Sequence, residues 1–416
     1  MSLFRRNTFP YLFVIGMSLF PLLGRLGVPF LRDTFVSWLI CFLVLTNIRW
    51  CYTHSLERIG VNLKHIKIYF WWVAICAIRG IFVAENYWEY KTLINSTFCL
   101  LLPVFVYIFQ SPYYLQCTMR LWHKVFLPIF ILFGIWVIAV DGYHFYISPV
   151  LFFGCFLPIF PAKWRIVYII LLLVMLFGEL GARAQMLKAA AIFAIALGLW
   201  LKAFVSQKAL KLVHWAFYVL PIVLLVLGVT GIYNVFQENS DKYEGEYTAV
   251  ETRDGETVIV DASADTRTFI YEEVITSAIN NEYVIWGRTP ARGNDSKFFG
   301  ALTAEELGTG KYERSMNEVC HPNVFTWTGL IGLLLWCFIY LKASYLALYK
   351  SQNIYLKYVG VFIAFRFFLG WIEDMNNFNI SGITVWMIIA MGYSQYFRSM
   401  SNQEFVSWVK GCLPKF

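Results

Sequence analysis

The chain has 416 residues, of which 59% are hydrophobic, 19% aromatic and only 14% charged. Soluble domains carry about 25% charged residues, and the apolar stretches here recur along nearly the whole length, so a soluble globular protein is excluded. The formal charge of +8 divides unevenly along the chain, and no basic array interleaved with aromatics marks a nucleic-acid surface.

In chain order, apolar runs long enough to cross a bilayer of about 30 Å fall near residues 9–26, 34–50, 68–86, 94–110, 125–141, 146–161, 166–182, 186–205 and 212–236. A long polar segment over 237–323 follows, then further runs near 324–346, 358–374 and 380–397. This pattern predicts an all-α polytopic membrane protein with about 12 transmembrane helices. It comprises nine helices in 1–236, a large loop in 237–323, and three helices with a tail in 324–416. Polar breaks at 139–146 and 181–187 are read as hairpins or re-entrant turns. The first run follows a basic start without a small-residue cleavage site, so it is expected to remain as a helix.

Lys and Arg gather at alternate ends of these runs, at Arg5, Arg6, Arg49, Arg58, Lys64, Lys67, Arg120, Lys124, Lys163, Arg165, Lys202, Lys208 and Lys211. Under the positive-inside rule both termini are then cytoplasmic and the long loop lies outside. That loop holds 8 basic and 17 acidic residues, so its net negative charge masks a strongly positive remainder. Within it, "DTRTFIYEEVITSAINN" has apolar residues at helical spacing after Asp265, a suitable N-cap. A Gly/Pro-rich turn, "WGRTPARGND", follows. A small helical cap over the membrane helices is expected.

Ionisable groups inside spans are costly and mark function. Arg79, Glu179, Arg183, Arg366, Glu373 and Asp374 all fall at outer ends, with Lys188 close by. Arg267, Arg288, Arg292 and His321 come from the outer loop. Arginines donate bidentate hydrogen bonds to phosphates, and a histidine exchanges a proton near neutral pH. This combination suits transfer chemistry on a lipid-linked diphosphate. No Walker A loop, HExxH or GxSxG occurs, and the nine cysteines form no CxxC pair, so neither metal nor cofactor is expected. His214 reads as a structural residue near an inner helix end.

"RAQML", an Arg-x3-Leu pattern from Arg183, and "HPNVFTWTGLIG", a His-x10-Gly pattern from His321, flank the long loop. In this order they resemble the O-antigen ligase family of bacterial lipopolysaccharide assembly. Two local departures from the family's pattern are Pro322 after the histidine and "GAR" at Arg183. The resemblance implies a GT-C-type fold and transfer of a glycan from undecaprenyl pyrophosphate to lipid A-core. It further implies an inverting, metal-independent reaction at the outer leaflet of the inner membrane. His321 would be catalytic, and Arg183, Arg267 and Arg288 would bind the donor pyrophosphate. Arg79, Arg366, Glu179 and Arg292 would support them. Related O-antigen, capsule and exopolysaccharide polymerases extend a lipid-linked glycan instead, and protein O-oligosaccharyltransferases form a further branch. A flippase without chemistry would need charges along a transmembrane path and an internal repeat, neither of which stands out.

Overall fold

A computed structural model describes residues 8–54, 62–134, 143–178, 183–201, 206–229, 248–253, 256–261, 266–296, 300, 304, 308 and 310–414. It is about 80% helical. Among the described residues seven helices are long and apolar enough to cross a membrane. They are α1 (Thr8–Arg25), α2 (Thr34–Thr53), α3 (Lys64–Val83), α4 (Tyr87–Phe109), α5 (Pro112–Gly134), α8 (Gln207–Leu227) and α10 (Cys320–Tyr349). Shorter helices α6 (Ala162–Phe177), α7 (Arg183–Trp200), α11 (Ile354–Leu369) and α12 (Ile380–Tyr393) complete the bundle.

The expected run at 146–161 is not one helix. It divides into pieces at Tyr143–Tyr146, Pro149–Gly154 and Leu157–Ile159. Pro149 and Pro158 each lack an N–H and clash with the preceding turn, which stops one helix continuing through the stretch. Residues 139–142 of the break expected at 139–146 lie outside the described residues, as do residues 181–182 of the one expected at 181–187.

Helices α10, α11 and α12 form the centre. Helix α10 packs on α3, α11 and α12, while α11 also receives α7 and α8. Their interface is aromatic, with Trp336, Tyr340, Phe367 and Trp386 all nearly or fully buried. Outward faces are the reverse: Trp71 is 72% exposed, Phe82 83% and Leu212 73%. Large apolar side chains on the outside are stable where lipid replaces water. His214 is buried and pairs with Ser344 at 3.0 Å, joining α8 to α10 in a packing role.

The long polar segment over 237–323 contains helix α9 (Thr266–Asn280), as its spacing predicts, but also strands. β1 (Thr248–Arg253) and β2 (Glu256–Asp261) form an antiparallel ladder in which Arg253 faces Glu256. The sequence between them is Asp-Gly, the strongest two-residue hairpin signal, flanked by alternating Val and Thr. The cap is therefore not wholly helical.

Helix α10 is interrupted at Gly329, whose φ of 67° lies in the left-handed region. A break frees backbone groups that the bilayer cannot satisfy, and such backbone survives only inside protein. Here the loop segment 284–288 supplies the partners. The amides of Arg288, Leu330 and Ile331 donate to Thr326 O at 2.7 Å, Val284 O at 2.9 Å and Ile285 O at 3.5 Å. The Trp72 indole donates to Thr328 O at 2.8 Å. The cap is stitched into α10 by main-chain hydrogen bonds.

Candidate functional site

The first turn of α10 has amides that no helix satisfies internally. The turn after α11 takes two of them: Cys320 N donates to Glu373 O at 3.2 Å and His321 N to Gly370 O at 3.1 Å. Pro322 falls where its missing N–H costs nothing. His321 is fully buried between Phe367 and Trp371, with ring centroids 4.9 and 4.7 Å away. Gly370 covers it closely, since a Cβ there would sit 2.5 Å from Nε2.

The imidazole tautomer follows from its contacts. Nε2 lies 2.9 Å from Phe367 O, and a carbonyl oxygen only accepts, so Nε2 carries the proton. Nδ1 then presents a lone pair that finds no hydrogen-bond partner among the described residues. A histidine oriented by one nitrogen and open at the other has the form of a general base.

Charged groups meet on the same turn. Lys188 of α7, 2% exposed, bonds Glu373 Oε1 at 2.7 Å, and Gln185 Nε2 approaches that oxygen at 3.5 Å. Arg366, at the end of α11 and 4% exposed, lies within electrostatic reach of Glu373, and so does His144. The adjacent Asp374 accepts from Asn376 N at 2.9 Å and Asn377 Nδ2 at 3.4 Å.

Helix α9 docks here too. Tyr271 donates its hydroxyl to Trp371 O at 2.5 Å, while Ile270 and Val274 pack on Val319. Arg267 precedes Tyr271 by four residues, so both share one face of α9. Arg183 opens α7, about 7.5 Å along the axis from Lys188. The elements bearing Arg183, Arg267 and His321 thus converge on the turn 370–373. Side-chain positions of Arg183 and Arg267, and Glu179 altogether, lie outside the described residues.

The other loop arginines are elsewhere and engaged. Arg288 bonds Asp295 at 2.6 Å and Glu313 at 3.0 Å, and Arg292 forms a two-point pair with Glu313. That pairing, more than burial, pushes the Arg292 guanidinium's pKa up. Arg79 donates to Trp286 O at 2.8 Å and Gly287 O at 3.2 Å, fastening the cap to α3. These three hold the cap in shape. The ionisable groups expected to act together separate into a buried cluster around Glu373 and an ion-paired network around Glu313. Among the described residues no group of three or more His, Cys, Asp or Glu is placed to hold a metal.

Three participants were not named as catalytic or donor-binding residues from sequence. Lys188 and Glu373 were visible as opposite charges within apolar runs, but 185 residues separate them, and only the α7–α11 packing shows that they pair. His144 carried one signal, its place in a polar break.

Comparison with known proteins finds no matching family model, curated protein or solved structure. The fold and site give a mostly helical chain, seven of whose described helices are long and apolar enough to cross a membrane, with a buried charged cluster at the turn after α11.

Proposed function

We propose that this chain transfers a glycan from a lipid-linked diphosphate to an acceptor hydroxyl at the outer leaflet of a bacterial inner membrane. Both termini are cytoplasmic in this reading. The observation that carries it is His321 with a bare, buried Nδ1 on the turn that also gathers Arg366, Lys188 and Glu373. The convergence of the elements bearing Arg183 and Arg267 on that turn supports it.

The reaction is a displacement. The acceptor hydroxyl gives its proton to Nδ1 as its oxygen bonds the anomeric carbon from the face opposite the leaving group. The bond from that carbon to the diphosphate oxygen breaks, and the electron pair leaves on the diphosphate. Arginines at the leaving oxygen stabilise the charge that develops there. The configuration inverts because there is a single displacement, and the resemblance to the O-antigen ligases points to undecaprenyl pyrophosphate as donor carrier and lipid A-core as acceptor. A second reading, a polymerase that extends another lipid-linked glycan, uses the same donor and base and differs only in acceptor.

His321→Ala is expected to lower transfer by about 10²–10⁴-fold, the range for loss of a general base. The check is product formation by purified protein in liposomes with a lipid-linked oligosaccharide. Wild-type rates in the variant would remove His321 from the chemistry.

A further inference from the structure

Just before the Gly/Pro-rich turn lies a short apolar patch, Tyr283–Trp286, that the site does not use. Its depth can be read against α3, whose 20 residues make a rod of about 30 Å, the thickness of a bilayer's hydrocarbon core. Trp72 is near the middle of that helix, and its ring lies 5.5 Å from that of Trp286. Further along, Cys76 Sγ donates to Trp286 O at 3.9 Å, and Arg79 reaches Trp286 O and Gly287 O. A Cβ on Gly80 would meet Ala291 and the Thr289 hydroxyl, each at 3.6 Å, and Ala291 packs with Ala84 and Leu93. The chain from 286 to 291 thus runs along α3 from its middle to its end. Helix α10 gives a matching depth: the amides that bond Val284 O and Ile285 O belong to Leu330 and Ile331, about 15 Å past the helix start.

Irregular backbone at such depth persists only where protein engages its polar groups. Four successive carbonyls are engaged: Val284 O and Ile285 O accept from α10 amides, Trp286 O and Gly287 O from the Arg79 guanidinium. The side chains point the other way, with Ile285 46% and Trp286 54% exposed. They lie between two exposed apolar stripes, Trp71, Ile75 and Ile78 on α3 and Leu330 and Leu334 on α10. Spacings of three and four residues put each stripe on one helix face. Bonded carbonyls inward and bare hydrocarbon outward is the arrangement that contact with lipid demands.

We propose that Tyr283–Gly287 is a re-entrant segment that dips from the cap to the middle of the bilayer, with Ile285 and Trp286 seated against lipid acyl chains. Bulk lipid is the occupant because the patch joins the exposed faces of two helices long and apolar enough to cross a membrane. The cap is then anchored in the membrane, and lifting it off α10 would draw Trp286 out of hydrocarbon. The proposal needs α3 to cross the bilayer and is independent of glycan transfer.

The test puts a nitroxide on Trp286→Cys of the full chain, labelled in detergent and reconstituted into phosphatidylcholine liposomes. Collision rates are measured with oxygen, which concentrates in hydrocarbon, and with a polar nickel chelate, which stays in water. The signal of the labelled unsubstituted chain, whose nine cysteines are partly or fully buried, is subtracted. Trp71→Cys on α3 supplies the lipid reference near the same depth, and Tyr312→Cys, at an exposed site, the aqueous one. The oxygen-to-nickel ratio at 286 should fall within about twofold of that at 71 and about tenfold or more above that at 312, because hydrocarbon excludes polar solutes. Ile285→Cys should give the same ratio, and it carries the test if loss of the Trp286 ring disturbs folding. A ratio matching that at 312 would place the segment in water and overturn the proposal. Slow collision with both reagents would overturn it too, since a protein surface, a second copy included, would then cover the patch. An aqueous ratio at 71 would show that α3 does not cross, and the proposal would fall with it.

Discussion

At His321 one backbone oxygen decides the chemistry. Phe367 O holds the Nε2 proton, which leaves Nδ1 as the atom able to accept another. Gly370 makes that arrangement possible by leaving room for the ring, and the His321 amide bonds the same residue's carbonyl. Gly370→Ala is expected to push the imidazole off Phe367 O. Overpacking of this kind costs about 1–3 kcal/mol, and transfer should fall further than stability because the base is misaimed. Parallel measurement of the thermal midpoint and the transfer rate checks this, and equal losses in both would argue that the ring position is immaterial. That a helix begins at His321 was legible from its place at the polarity boundary, whereas its tautomer was not. The oxygen that sets it lies 46 residues away on another helix.

Among the elements, α10 is the informative one. A continuous apolar run predicted a single span starting near residue 324, and helix does cover that region, in two parts on either side of Gly329. The break at Gly329 was not read, because its cause is tertiary: loop carbonyls and amides 40 or so residues earlier in the chain replace the lost helical partners. A Cβ on Gly329 would stand 2.3 Å from Ile285 O in a left-handed conformation, so Gly329→Ala should loosen the cap by about 1–2 kcal/mol or more. Hydrogen exchange across 283–288 should then accelerate, and unchanged exchange would contradict the stitching. Acid should loosen the cap as well. Lys311 bridges Glu85 and Glu89 at the α3–α4 turn and, chiefly by its hydrogen bond, lowers the Glu85 pKa. A depressed carboxylate contributes stability above its ordinary value of about 4.3 and loses it as pH falls through the depressed one. Exchange at 310–314 should therefore rise on acidification below that range in wild type, and Lys311→Met should abolish the dependence.

Across the whole molecule, run length alone revealed the helical class and most helix positions, since a bilayer demands long apolar helices whatever their neighbours. Helix continuity was less legible. Pro149 and Pro158 divide one expected span, and four others are shorter than the rest, with 16, 18, 16 and 14 residues in α6, α7, α11 and α12. The site was half legible: ionisable groups stood out within or beside apolar runs, but which cations pair with which carboxylates depended on packing that no local pattern encodes. Arg288 and Arg292 illustrate this, being as basic as Arg366 in sequence yet engaged by Glu313 in the fold. The topology has its own test. All nine native cysteines are partly or fully buried, so an added one at an exposed site reports its side. A membrane-impermeant maleimide should label Tyr312→Cys in intact cells and Lys208→Cys only after permeabilisation. The reverse pattern would invert the orientation and move the cluster to the cytoplasmic side.

The most direct measurement places purified chain in liposomes with an undecaprenyl-pyrophosphate-linked oligosaccharide and, in separate reactions, lipid A-core or a second lipid-linked glycan. The account predicts a glycosylated product that requires His321, as one discrete addition on lipid A-core for a ligase or a ladder for a polymerase. Failure to consume the donor with either acceptor, or full activity in His321→Ala, would contradict it.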